Sequence, residues 1–596
     1  MRGATYTSAR QHAANAGLMS ATVRTLSISR STPAFAIASF GPFALFLIAL
    51  LLTVQARGVP DADYWSIFTS LVGSLDRLPT LPDLYVRGGE HIVAGAKLFY
   101  LLNFHLTGGD NIGLSVIAVA FSLLIALVFS SALSLFARSR FEAFVIGIAV
   151  SLFVFSPLAA HNFFVGMSGV AWIGANLFTV LAAFAFWQSA ENDRRFGYLA
   201  AIVLAAIAAQ FYSTGLTALC AVGIQGICAD KTRRLGIVIF TIGMAYVMFI
   251  LMNITVQQAE RSFNPIQIAL FCFTFIGGGL VTSQLAAFWL GIVGIAAAVL
   301  MIGSCILRPD ESRFRSAFWI TLMAYAVMSS GLAAIGRANY GTGGYGIALA
   351  SRYATIPALF WVGLFGVISC RISDAAFNRC LSIAMFAAAA ALILVNGTPR
   401  LMDALARAEG KDFVTLALSL GVKDPSLMQQ YVTPHPFEYY DIEDDLKKFN
   451  HVPFDGRNFG CPSLGAQIAI GSQPNSLTGY IDVVSKIQDP QWGRVSGWVA
   501  DTSNKWPPLL GSDILSTYSC IAFLDGTGTV VGLGLGGMHR PDVAKALGRG
   551  RDDYGWSGYV DLRRVPVNPA SRSIYAVVLA PSGWTRLQAS EAGFQF

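Results

Sequence analysis

The sequence predicts a polytopic α-helical membrane protein of about eleven transmembrane helices, followed by a C-terminal soluble β-sandwich domain. Three observations lead there. The 596 residues are 54% hydrophobic and only 13% charged, with a mean hydropathy of +0.57. Ordinary soluble domains are about 25% charged, so a purely soluble enzyme is excluded. Apolar runs of bilayer length alternate with short basic clusters. Past Thr398 those runs end, and short alternating stretches punctuated by turn residues follow.

The elements can be taken in order. Residues 1–33 hold Arg2, Arg10, Arg24 and Arg30 and no Asp or Glu. This is the composition of a cytoplasmic basic tail, although an organelle transit peptide shares it. The apolar run near Pro33–Gln55 is too long for the core of a cleaved signal peptide and reads as a retained first span. A long loop over 57–111 comes next. Further candidate spans are Ile112–Phe136, Phe141–Ala160, Gly169–Trp187, Phe196–Phe211, Ser213–Cys228 and Leu235–Val256. Leu285–Ile306, Ala317–Ile335, Ala350–Ser369 and Phe377–Val395 complete a membrane module over 34–397.

The loop charges set the orientation. Arg138 and Arg140, Arg194 and Arg195, Lys231 with Arg233 and Arg234, Arg308 with Arg313 and Arg315, and Arg371 with Arg379 all fall on one side if the N-terminus is cytoplasmic. The C-terminus is then outside. The condition is that Pro265–Val281, with Gly277-Gly278-Gly279, lies at the interface or re-enters rather than crossing. Because the basic residues are dispersed between apolar runs, the net charge of +7 reads as topology signalling and not as a nucleic-acid surface. Such a chain belongs in a plasma membrane, the inner membrane of a bacterium.

Residues 398–478 read as an outside helical linker, with an amphipathic Leu401–Leu420 and a charged Tyr439–Phe449. Within 479–596, alternating stretches at Tyr480–Ser485, Arg494–Val499, Tyr518–Leu524, Val530–Leu533, Gly558–Leu562 and Ile574–Leu579 argue for the sandwich. Of eight cysteines only Cys461 and Cys520 lie in this polar part, where an oxidising compartment permits a disulfide. Spacing alone leaves that pairing open.

The acids are unevenly placed. Six of the fourteen Asp and Glu before residue 400 sit in the first loop: Asp61, Asp63, Asp76, Asp83, Glu90 and Asp110. Long loops in compact domains tend to be functional, and this one also holds YWSIF and AKLFYLLNFHL, suited to helices lying along a membrane surface. No G-x-x-x-x-G-K-[ST], no H-E-x-x-H and, in the soluble part, no G-x-S-x-G appears, so nucleotide-driven transport, zinc proteolysis and serine hydrolysis lack support.

An acidic pair after the first span, followed by interfacial helices, resembles the GT-C class of membrane glycosyltransferases. Gly88-Gly89-Glu90-His91, LFYLLNFHLTGGDN and Gly336–Tyr353 (GRANYGTGGYGIALASRY) are similar to a bacterial subset acting on envelope or surface glycans. The resemblance covers roughly residues 34–400. It implies a donor sugar on polyprenyl phosphate, a glycan or lipid-linked acceptor, and hexosyl or pentosyl transfer on the extracytoplasmic side. The DD or ED pair of some members is absent here. The chemistry needs a carboxylate to take the acceptor proton, with Asp63 first and Asp61 and Glu90 as rivals. It also needs positive charge at the leaving phosphate, for which Arg337, Arg352 and Tyr353 are candidates.

Asp61 and Asp63 together offer the carboxylates that a Mg²⁺ or Mn²⁺ ion bound with phosphate would use, though nothing requires a metal. His91, His161 and Trp172 are candidate acceptor contacts, against readings as a hydrogen-bonded His and interfacial anchors. The series Gly497–Asp501, His539–Ala544 and Gly555–Gly558 resembles a small β domain of bacterial glycan-related proteins. That likeness makes Trp498, Trp556 and Arg540 carbohydrate contacts, against core packing of both Trp and a capped turn at Arg540-Pro541-Asp542. A lipid-linked-glycan transporter or flippase and a non-catalytic assembly protein remain the rival classes. A transporter predicts ionisable residues deep inside the spans, and the apolar runs are nearly free of them.

Overall fold

The computed structural model describes residues 33–61, 63–85, 93–253, 264–307, 311–338, 344–371, 376–456, 459–470, 477–501, 520–548, 554–565, 573–580 and 583–587. The first helix, α1, is Pro33–Thr53. The loop after it carries α2 (Tyr64–Thr69), α3 (Leu81–Tyr85) and α4 (Ala94–Thr107). The bundle continues with α5 (Asn111–Ser134), α6 (Arg140–Val154), α7 (Ala160–Phe164), α8 (Gly166–Asn192), α9 (Arg195–Phe211) and α10 (Ala218–Cys228). It closes with α11 (Arg233–Asn253), α12 (Pro265–Gly277), α13 (Gln284–Leu307), α14 (Glu311–Arg337), α15 (Thr355–Arg371) and α16 (Ala376–Ser419).

Eight helices among the described residues are long and apolar enough to cross a membrane, and Arg195–Phe211, Ser213–Cys228, Pro265–Gly277 and Thr355–Arg371 are shorter apolar ones. At 1.5 Å per residue the 13 residues of α12 reach only about 20 Å, short of a hydrocarbon core of ~30 Å. Local chemistry marks the starts: the Asp110 carboxylate accepts the Ile112 N–H (3.0 Å) at α5, and Ser139 Oγ accepts the Glu142 N–H (3.1 Å) at α6. Where α1 meets α6, Gly41 and Gly147 face each other with no room for a Cβ on either, a small-residue contact of the kind that lets membrane helices approach closely.

Helix α16 departs from expectation. The boundary that composition places at 397/398 falls inside one helix of 44 residues, about 66 Å long and twice the bilayer core. Its apolar first half packs in the bundle, and its polar second half extends beyond. There it meets α17 (Pro425–Tyr431) and the strands, and α18 (Pro436–Tyr440) and α19 (Glu443–Lys448) follow in the chain.

The strands are β1 (Leu477–Lys486), β2 (Trp492–Asp501), β3 (Cys520–Leu524), β4 (Val530–Met538), β5 (Gly555–Asp561), β6 (Tyr575–Ala580) and β7 (Gly583–Arg586), with α20 (Pro541–Ala546) after β4. They form one antiparallel seven-stranded sheet in the order β1-β2-β5-β4-β3-β6-β7, where the sequence predicts two stacked sheets. Alternation reports two faces but not whether a sheet stacks or curls. Here Leu587, just past β7, reaches Gly479 of β1, so the sheet curls over a core containing Val495, Phe523, Trp556 and Val578. The other face packs on α16, where Phe413 stacks on Tyr559 at 5.2 Å and the Tyr559 hydroxyl donates to Asp424 (2.7 Å).

Cys461 and Cys520 form a disulfide that ties the linker to β3 across 59 residues. Chain entropy puts closure of such a loop at ~4 kcal/mol. Cys520→Ser, or reductant, is therefore expected to lower the melting temperature of the strand-rich part while sparing the helical signal of the bundle. Circular dichroism of the detergent-solubilised protein measures both.

Candidate functional site

The site begins where α1 ends. Arg57 pairs with Asp412 (3.2 Å), and the Val59 N–H donates to Thr415 Oγ1 (3.3 Å). Gly58 adopts φ +98° against the same threonine, a conformation that favours glycine. Asp61 follows as a buried carboxylate ion-paired with the equally buried Lys411, whose ammonium also donates to the Phe164 carbonyl (3.2 Å). Burial pushes the Asp61 carboxyl above its usual range, against the opposing charges of Lys411 and Arg407. These contacts strap the turn to α16.

Asp63 is exposed. It precedes α2, and its side chain makes no capping bond there. Burial and Tyr212 raise the Tyr100 hydroxyl pKa, and the charge of Asp63 adds to the effect. That same charge favours the cationic form of Arg352 and is felt at Tyr212 and at Glu438 of α18. The two acids, two residues apart, thus have different tasks. Asp61 is locked to Lys411 and closed to an acceptor, which corrects its candidacy as a base. For the candidate cation site the two carboxylates differ in the same way, Asp61 being buried and ion-paired and Asp63 exposed. Among the described residues no group of three or more His, Cys, Asp or Glu is placed to hold a metal. Glu90 and His91 lie outside the described residues.

The candidate phosphate residues stand on a short turn braced by polar contacts. Asn162 Nδ2 donates to the Arg352 carbonyl (2.8 Å), the Ser351 hydroxyl donates to the Leu158 carbonyl (2.6 Å), and the His161 N–H donates to Ser351 Oγ (3.3 Å). The half-buried Arg352 guanidinium lies 5.3 Å from the centre of the Tyr353 ring. Tyr353 is buried edge-on to Trp172 (5.1 Å), and Trp172 packs on Tyr212 (4.0 Å), an aromatic floor that Trp172 shares rather than an exposed sugar platform. Arg337, at the end of α14, is half-buried, and its charge reaches Tyr212.

Beside this turn lies a cavity of about 320 Å³. His161 and Ser351 line one wall, and Arg400, Asp403, Arg407 and Lys411 line the other. The charges of Arg352, Lys411 and Arg407 all reach His161. The four α16 residues were missed in the sequence. Their spacing of three, four and four places them on one helical face, a signal that reads as mere amphipathicity until the face is seen to line a cavity.

On the sheet, Trp498 is half-buried against Ala500, Val543, Ala544 and Tyr554. Trp556 fills the curled core and also borders a second cavity. No protein family, no curated protein and no solved structure matches the chain.

Proposed function

We propose that the protein is a GT-C-type membrane glycosyltransferase that moves a sugar from a polyprenyl phosphate to an envelope or surface glycan on the extracytoplasmic side. The observation that carries this reading is the cavity lined by Arg400, Arg407 and Lys411 of α16 beside the turn that bears Arg352, whose cationic form the charge of the exposed Asp63 favours. In the reaction, Asp63 takes the acceptor hydroxyl proton as the new C–O bond forms. The anomeric carbon–oxygen bond to phosphate breaks, and its electron pair leaves on the phosphate. Arg352 holds the donor phosphate, already anionic before transfer, through guanidinium N–H donors and keeps that hold as the charge grows, with Arg400 and Arg407 on the neighbouring cavity.

Eleven crossings follow if the eight long helices are joined by three of the shorter ones, with α12 as the exception. The C-terminus then lies opposite the cytoplasmic N-terminus. The Cys461–Cys520 disulfide supports an oxidising side for the sheet.

The test is transfer of labelled sugar from polyprenyl-phosphate hexoses and pentoses to envelope glycan, using purified protein in lipid vesicles. Arg352→Gln is expected to lower kcat/KM for the donor ~10- to 100-fold, the worth of a hydrogen bond to a charged group, chiefly through KM. No transfer from any donor by the wild-type protein sinks the reading.

A further inference from the structure

The second cavity, about 470 Å³, is bounded by α16, α17 and the outer face of the sheet, within the ~300–1,000 Å³ of small-ligand sites. Its floor is built by strand register. Ser496 of β2 stands opposite Ser557 of β5, and Arg494 stands two residues earlier on the same face. Its walls are Arg407, Gln430 and Tyr431 on the helical side and His539 with Arg540 after β4. Gly410 has no room for a Cβ because the Tyr431 ring lies against it, which sets that wall.

The charge balance is one-sided. Among the described residues no carboxylate lines the cavity. Arg540 is neutralised by ion pairs to Asp482 and Asp542, so it shapes the rim without adding net charge. Arg494 lies over the Phe413 ring (5.5 Å), 3.9 Å from Asp424, a carboxylate that also accepts from Tyr559 and Ser426. Arg407 donates to the Gln430 carbonyl at 3.4 Å and lines both cavities. Past Ser496 on the same face come Trp498 and, directly across the register on β1, the exposed Tyr480. Guanidinium groups, hydroxyls and aromatic faces in succession are the chemistry that holds a charged sugar: bidentate donors for the anion, hydroxyl partners, and ring faces for the C–H surfaces.

We propose that this cavity binds an anionic saccharide, one bearing a carboxylate or a phosphate, and that Arg407 brings it next to the first cavity. Its role as an acceptor site rests on the transferase reading; its binding does not.

The test uses full-length protein in detergent and isothermal titration with matched probes. One arm compares an oligogalacturonate with a galactose oligomer of the same length. The other compares a phosphorylated mannose oligosaccharide with its unphosphorylated form. One anionic probe is expected to bind at least ~10-fold tighter than its neutral counterpart, as charge-assisted hydrogen bonds imply, and the responding arm identifies the anion. Arg494→Gln is expected to remove the preference with an unchanged melting temperature. If that variant does not fold, His539→Gln replaces it and is expected to weaken the same preference. Equal binding of charged and neutral probes, no binding in either arm, or a preference that survives in a folded variant overturns the proposal. Anion preference in a protein that transfers no sugar leaves this cavity assigned and removes the transferase. Transfer without anion preference does the reverse.

Discussion

Asp63→Asn is expected to lower sugar transfer by ~10²- to 10⁴-fold, the usual worth of a positioned general base, while melting is unchanged. The second half follows from exposure: the side chain is open and caps nothing on α2. The first half follows from neighbourhood, since Arg352 and Tyr212 both feel this charge across the turn. A base acting on the acceptor should reduce kcat and leave the donor KM near its wild-type value. Arg352→Gln should show the opposite pattern. Initial rates in vesicles at varied donor separate the two, and full activity of Asp63→Asn removes this residue from the chemistry.

The difference between Asp61 and Asp63 was not legible in the sequence. Both follow the first apolar run, and only a partner 350 residues downstream, Lys411, decides which is buried. The eight apolar helices of membrane-crossing length among the described residues were legible, because apolar runs of bilayer length have few other uses. The extent of α16 was not. The composition changes at Thr398, and the helix runs through that point, Pro399 included. Arg400, Asp403, Arg407 and Lys411 therefore read as a linker face. In the strand region the stretches were legible from alternation, but their order was not: β5 inserts between β2 and β4, a non-local pairing that periodicity does not encode. The linker pairs with the start of β4 through Gly465, Ala466 and Val530, and so brings Cys461 to Cys520 on the neighbouring β3.

Lys411→Met is expected to destabilise the protein by ~3–5 kcal/mol, the cost of breaking a buried ion pair from one side. Asp61 would keep only the more distant Arg407 against its burial. Its carboxyl, already above the ordinary 3.8, would move further up. The sign then follows from linkage. A folded pKa above the unfolded one makes the contribution fully present below the unfolded value, and it is lost as pH rises through the folded value. Lys411→Met should therefore melt progressively lower as the pH rises above about 4, more steeply than the wild-type protein. Adding Asp61→Asn removes the stranded charge, so the double variant should recover much of the loss and flatten the pH dependence. The coupling between the two changes measures the pair itself. This separates anchoring from chemistry. If the folded double variant still transfers sugar, the pair holds the loop that presents Asp63. If each single variant melts like the wild-type protein at every pH, the strap between the first loop and α16 carries no weight, and Asp61 returns as a rival base.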